Sequence, residues 1–328
     1  MIKRLCIIGV YLAVCLGNLS GQETPLFSQY MMNGFLYNPA IAGSDGYTSF
    51  NLTSRRQWLG IKDAPLTNSF TFQSRILHRS YMIQRDPIRQ KNSFIPSRSG
   101  RVGLGGAIIS DRAGAFNRTG VQFTYAYHIF INNAQLSMGL TGNLYQLKYD
   151  FTQAMFSDPN TVATLINQLN KPYYVPDFNF GAYYLTENYH VGISAENILQ
   201  SAIKIGNTEV KESKLLRTYY FTGAYQFKSA GDIRFEPSIL AKFNEKNAYE
   251  ADLSCKAILR EMYWLGLSFR TNKEIIALMG MRFNNLYFGY AFDYSFNTLT
   301  SYTYGSHELM IAMKFGDNAR RYKWIIRY

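Results

Sequence analysis

From about residue 47 onward, apolar and polar side chains alternate with a period of two, in runs of about ten residues. A strand sends alternate side chains to opposite faces, so each run reads as a strand with one apolar face and one polar face. Residues 286–297 are the clearest case. Leu286, Phe288, Tyr290, Phe292, Tyr294 and Phe296 share one face, and Tyr287, Gly289, Ala291, Asp293, Ser295 and Asn297 share the other. Residues 120–131 set Val121, Phe123, Tyr125 and Tyr127 against Gln122, Thr124, Ala126 and His128. Residues 233–244 and 248–257 follow the same rule, with Glu236, Lys242, Glu250, Asp252 and Lys256 all on the polar side. A soluble sandwich packs aliphatics inside and turns charges outward. Here the apolar face is aromatic, runs on through many strands and has no helices to cover it. A closed barrel with lipid outside and a polar lumen satisfies both faces, and closure removes the strand edges that lipid cannot hydrogen-bond. The predicted fold is therefore an all-β transmembrane antiparallel β-barrel.

About fourteen such segments are predicted, an even number as bacterial outer-membrane barrels generally require. They centre on 47–58, 66–77, 101–111, 118–131, 134–148, 177–187, 189–197, 214–228, 231–244, 247–258, 261–271, 274–284, 286–296 and 306–316. With both ends periplasmic, the turns at Asn132-Asn133, Thr186 to Asn188, Ser229-Ala230, Leu259-Arg260 and Asn284-Asn285 fall on the periplasmic side. The long links at 150–176 and 198–213 fall outside. One connection departs from this pattern: residues 78–100 are long and basic, hold Pro87 and Pro96, and read as a periplasmic insertion. Composition agrees with a barrel. Only 17% of residues are charged, while Tyr and Phe number 26 and 23. This excludes a disordered chain, and the absence of apolar runs of about 20 residues excludes a helical membrane bundle.

Residues 1–21 read as a secretory signal peptide, with Lys3 and Arg4 before an apolar stretch from Leu5 to Leu16 and small residues at Gly17, Ser20 and Gly21. A lipoprotein signal at Cys15 is disfavoured because Val14 stands where a small residue is wanted. Export removes two of the three cysteines and two positive charges, leaving Cys255 and a net charge of +12 − 2, about +10. A lone thiol forms no intrachain disulfide and is expected to be buried or lipid-facing. Outside the inner barrier the basic balance meets lipid phosphates or an acidic protein, not nucleic acid.

Residues 22–46 fit no strand period. Phe27, Tyr30, Phe35, Leu36 and Tyr37 are too apolar for a free tail, and Asn38-Pro39 followed by Gly43 marks a rigid turn. This segment is expected to form a short plug or rim against the periplasmic mouth of a barrel spanning 47–316. Residues 317–328 form a basic aromatic tail that either lies in the interfacial belt or docks to a partner. Within the 150–176 link, residues 161–169 have helical spacing and form either a packed loop helix or a lid over the outer mouth.

Three blocks carry a specific resemblance. Pro25-Leu26-Phe27-Ser28-Gln29-Tyr30-Met31 with Asn38-Pro39-Ala40-Ile41-Ala42-Gly43 is the first. Arg55-Arg56-Gln57-Trp58-Leu59-Gly60-Ile61 through Ala64-Pro65-Leu66-Thr67 is the second. Gly103-Leu104-Gly105-Gly106 leading to Asp111-Arg112-Ala113-Gly114 is the third and weaker. The chain resembles the PorP/SprF family of type IX secretion system membrane proteins. The resemblance implies a non-enzymatic outer-membrane component of the type IX secretion and gliding apparatus. Such a component supports export or surface attachment of a specific secreted protein, an adhesin-like cargo with a C-terminal sorting domain. Implied partners are that cargo, periplasmic and outer-membrane subunits of the system, and outer-membrane lipid. Candidate plug or partner contacts are Phe27, Gln29, Tyr30, Asn38, Pro39, Arg55, Gln57, Trp58 and Pro65.

In the alternating register Arg55 and Gln57 face the lumen, and Arg75 points inward from the next strand. They are expected either to pair with Glu250, Asp252 and Asp293 or to form a cargo-peptide or anion site. Trp58 is either an interfacial anchor or a partner contact. No catalytic, cofactor or metal site is expected. The four histidines, His78, His128, His190 and His307, lie on separate segments without metal-ligand spacing. The glycines at 103–106 lie in a strand and lack the Lys-Ser/Thr of a phosphate loop, so they read as room for a plug or relief of curvature. No GxSxG elbow is present, and the sequons at Asn51 and Asn117 read as chance. The rival readings are an outer-membrane channel for hydrophobic or small polar solutes and, third, a membrane lipid hydrolase.

Overall fold

The computed structural model describes residues 26–76, 101–149, 172–200, 202–205, 208–228, 232–246, 248–296 and 301–316. The signal at 1–21, the linker at 78–100, the helical spacing at 161–169, the turn at 229–230 and the tail at 317–328 lie outside the described residues. The strands in chain order are β1 Thr48–Arg56, β2 Leu66–Ile76, β3 Val102–Ala113, β4 Phe116–Ile131, β5 Ala134–Tyr149, β6 Tyr173–Leu185, β7 Tyr189–Glu196, β8 Ala202–Ile205 and β9 Thr208–Lys214. They continue with β10 Thr218–Tyr225, β11 Phe227–Lys228, β12 Ile233–Asn244, β13 Tyr249–Leu259, β14 Tyr263–Arg270, β15 Glu274–Phe283, β16 Leu286–Ser295 and β17 Ser306–Phe315.

Fourteen of these strands form one closed antiparallel barrel. β1 to β7 pair in sequence, β7 pairs with β10, β10 with β12, and β12 to β17 follow in sequence. The pairing of β17 with β1, from Thr48 opposite Phe315 to Arg56 opposite His307, closes the ring. The two residues of β11 continue β10 along β12 in the same register, and β8 with β9 forms a separate hairpin. The strand count agrees with the sequence reading. The hairpin is the addition: it occupies the 198–213 link and ends one residue beyond it at Lys214, and neither of its short arms alternates over enough residues to register as a strand.

The barrel carries its polar residues inward. On β4, Phe123, Tyr125 and Tyr127 point out, with Phe123 74% exposed, while Gln122, Thr124, Ala126 and His128 are buried inside. On β16, Asp293 and Ser295 are buried and Phe288 and Tyr294 are exposed. Cys255 belongs to the outward set. Phe123→Arg should therefore lower the unfolding free energy in lipid vesicles by about 2–4 kcal/mol, the cost of a cation near the bilayer midplane. Urea titration measures it, and an unchanged midpoint would mean that Phe123 does not face lipid.

Residues 26–46 do not join the sheet. Two short 3-10 turns, Gly34–Leu36 and Pro39–Ile41, fold this segment back on itself. Proline at the first position of the second turn has no N–H to leave unpaired, and the Asn38 side chain caps the turn by accepting from Ala40 N. Phe27, Tyr30, Phe35 and Tyr37 are all buried, against inward-facing side chains of the barrel wall.

Candidate functional site

Inward-facing glycines give the N-terminal segment its room. A Cβ on Gly103 would sit 1.9 Å from Ala42 O, and one on Gly139 would sit 2.3 Å from Pro39 C. On Gly181 and Gly289 it would meet the side-chain oxygens of Asn38 and Gln29, each at 2.1 Å. These glycines come from β3, β5, β6 and β16, so the segment touches widely separated parts of the wall. No other residue allows strand and segment to approach so closely.

The segment is also held by charge. The carboxylate of Glu308, at the start of β17, accepts from the backbone N–H of Ser28 at 2.6 Å and of Gln29 at 3.0 Å. Ser28 Oγ donates to Asp293 Oδ2 at 2.7 Å. Arg55 bridges the group: it pairs with Asp293 at 2.6 Å and Glu308 at 3.4 Å, and donates to Ser28 Oγ. All three charged side chains are at most 1% exposed. Alongside, Arg270 makes a bidentate pair with Asp252, both contacts 2.8 Å, and reaches Glu274 at 3.1 Å and Glu250 at 3.5 Å. A fork of guanidinium on carboxylate fixes both partners in orientation. Removing one member of such a buried group leaves the others uncompensated, which costs about 3–5 kcal/mol.

The remainder of the segment is held by neutral contacts. Tyr30 Oη lies 3.0 Å from Ser238 Oγ and 3.2 Å from Ser254 Oγ, and Asn38 Nδ2 donates to the carbonyls of Ala182 at 2.9 Å and Ile193 at 3.2 Å. Phe27 N donates to Tyr37 Oη at 2.7 Å. Burial pushes the Tyr30 phenol up to about 12 and raises Tyr37 as well, so both remain neutral hydroxyls. Arg75 donates to the carbonyls of Gly43 and Ser44 and to Gln135 Oε1, each at 2.8 Å. Arg55 thus meets a carboxylate named in the sequence analysis, Asp293, whereas Arg75 binds backbone oxygens where the chain enters β1. A cavity of about 90 Å³ remains between the segment and the wall, bordered by Met31, Phe35, Glu236 and Lys314.

The second and third sequence blocks meet at the other end of β1. Gln57 lies beyond the strand, and its N–H donates to Pro65 O at 2.9 Å, closing the loop. Trp58 and Asp63 take left-handed backbone conformations, and Trp58 N donates to Ser306 Oγ. Leu59 exchanges backbone hydrogen bonds with Gly305 and Tyr304. Gly60 has φ +105 and lies against the Tyr304 ring, a position that strains any side chain. Thr67 Oγ1 donates to Asp111 Oδ1 at 2.7 Å and Gly114 N to Asp63 O at 3.1 Å, joining the two blocks. The nine candidate residues therefore fall in two places. Phe27, Gln29, Tyr30, Asn38, Pro39 and Arg55 gather inside the barrel; Gln57, Trp58 and Pro65 shape the β1–β2 loop. Sequence reasoning missed Ser28, Arg270, Glu274 and Glu308. The inward parity of Arg270, Glu274 and Glu308 is readable from the alternation, but that of Ser28, outside any strand, is not, nor is the convergence of β1, β14, β15, β16 and β17 on one point.

Residues 19–313 match the family model described as type IX secretion system membrane protein PorP/SprF. No curated protein matches the chain. Among solved structures, the Ralstonia pickettii toluene transporter TbuX is similar at 12% identity and a TM-score of 0.49, over 90% of this chain and 95% of that one. The P. putida toluene transporter TodX gives 9% and 0.46, over 87% and 94%. The Acinetobacter baumannii outer membrane protein Omp33 gives 7% and 0.43, over 83% and 100%.

Proposed function

The chain belongs to the PorP/SprF family of type IX secretion system membrane proteins, and from that premise we propose that it supports export or surface attachment of one secreted protein without catalysing a reaction. The family is one of secretion-system membrane proteins, and the protein is an outer-membrane β-barrel. The cargo in this reading is adhesin-like and carries a C-terminal sorting domain. The same apparatus would serve gliding. Residues 22–46 act as the plug, with the barrel over 47–316 as its housing, the 1–21 leader removed on export, and the 317–328 tail available to periplasmic subunits.

The observation that carries this reading is the ionic seat of the segment. A wall that holds its own N-terminal segment through Arg55, Asp293 and Glu308 is suited to guarded, partner-dependent opening more than to free diffusion. The candidate contacts then divide by role. Phe27, Gln29, Tyr30, Asn38 and Pro39 seat the plug, with Arg55 as its ionic anchor. Gln57, Trp58 and Pro65 shape a loop that presents the neighbouring Tyr302 and Tyr304, 76% and 78% exposed, to a partner.

The test is affinity isolation of the tagged protein from gently solubilised outer membranes, with co-eluting proteins identified by mass spectrometry. The expected result is stoichiometric recovery of one large secreted protein or of export-system subunits. Recovery of the barrel alone would remove stable cargo holding from the account, and conductance in planar bilayers would then favour a solute channel.

A further inference from the structure

We propose that a hollow on the outer wall over β7, β10, β12 and β13 binds the acyl chain of a membrane lipid. The register builds this hollow from two adjacent outward rows. The upper row runs Ala195, Tyr219, Phe243, Tyr249 on successive strands. The lower runs Ile193, Phe221, Ala241, Ala251. Ala195, Ala241 and Ala251 form a floor among larger residues, and the Tyr219 and Phe243 rings stack at 4.9 Å to make one wall. The space is about 610 Å³ and its lining is nearly all apolar, within the range of sites that hold small ligands.

Its position identifies the occupant. β7 has 8 residues, whereas β4 and β5 have 16 each. Eight residues rise about 26 Å along a strand, and a tilt of about 40° leaves about 20 Å of height, less than the hydrocarbon thickness of about 30 Å. The wall is therefore low at β7, along one side of the hollow, and a low wall draws lipid chains inward or thins the bilayer beside it. Polar groups begin just beyond the upper row. Arg217 pairs with Glu245 at 2.9 Å, and Lys246 is exposed next to it. The hollow thus lies at the edge of the hydrocarbon layer, on the face that meets lipid tails. Tails are as apolar as the wall, so the preference comes from close packing against the aromatic ridge and not from leaving water.

A phospholipid carrying a diazirine in its acyl chain, reconstituted with the full-length protein in nanodiscs, tests this directly. After irradiation, labelling of the β10 and β12 peptides should exceed that of the outward β4 peptides by roughly three- to tenfold. Ala241→Trp fills the floor and should bring labelling down to the β4 level while unheated gel migration still reports a folded barrel. Ala251→Leu serves as the second filling variant if Ala241→Trp does not fold. Even labelling around the barrel would overturn the proposal. So would concentrated labelling that survives a folded filling variant.

Discussion

Arg55→Met should free the N-terminal segment from the barrel wall. In the wild type, Arg55 lies between Asp293 and Glu308, and Ser28 completes the group from the segment side. Methionine preserves much of the side-chain length but leaves two buried carboxylates facing each other with less positive charge to offset them. Loss of one member of a buried ionic group costs about 3–5 kcal/mol, and the weakest element yields first. That element is the segment, which is held to the wall by side chains and carries none of the sheet's strand pairing. Chymotrypsin reads the release, because Phe27, Tyr30, Phe35 and Tyr37 are buried while the segment is seated. Outer-membrane vesicles of the variant should be cut within residues 26–46 under conditions that leave the wild type whole. Adding Asp293→Asn and Glu308→Gln should recover much of the protection. Equal cleavage of wild type and Arg55→Met would contradict the ionic seat.

Gly139→Val should unseat the same segment by steric means. The new Cβ would fall 2.3 Å from Pro39 C and 2.4 Å from Ala40 N, both backbone atoms that cannot rotate away. Overpacking of this kind costs about 1–3 kcal/mol when the neighbours can adjust; here they are a 3-10 turn started by proline. Gly142→Val is the control on the same strand. Its Cβ would come no closer than 3.7 Å to Phe178 Cε1, an ordinary contact, and β-branched residues suit strands. The expected pattern is chymotrypsin cleavage and loss of cargo secretion for Gly139→Val, with neither for Gly142→Val. Loss of secretion in both, with the segment protected in both, would detach the phenotype from the segment.

The barrel was legible because its two environments sort side chains residue by residue. Lipid excludes charge and the lumen accepts it, so inward Asp252 and outward Leu253 announce their faces without reference to any partner. Turns at Asn132 and Asn284 were legible for a local reason: asparagine tolerates the left-handed backbone that both adopt. The turn between β13 and β14 was placed from spacing alone. Its left-handed residues are Arg260 and Glu261, with Met262 N bonded to Leu259 O at 3.0 Å, and no local signal marks them. The inner site was legible only in part. Arg55 and Asp293 have inward parity, but their meeting depends on β1 and β16 flanking β17, a closure no local pattern contains. The glycines at 103 and 105 read as room for a plug, and the residues that come close there are Ala42 and Phe35. Gly139 and Gly181 carried no such signal, because an isolated glycine in a strand has several explanations.

The most direct test of the account is a proximity measurement between the segment and the wall in living cells. With Cys255 replaced by serine, Gln29→Cys and Gly289→Cys place two thiols where the Gln29 side chain now approaches Gly289. Gln29→Cys also removes the two Gln29 atoms that a side chain at 289 would meet, leaving the flexible end of Met310 at 3.0 Å. A short bifunctional thiol reagent added to intact cells should convert the protein to a faster-migrating, internally linked form. Either single cysteine alone should give none. An unlinked protein, with the barrel folded and both thiols reactive, would contradict the seated segment on which the proposed function rests.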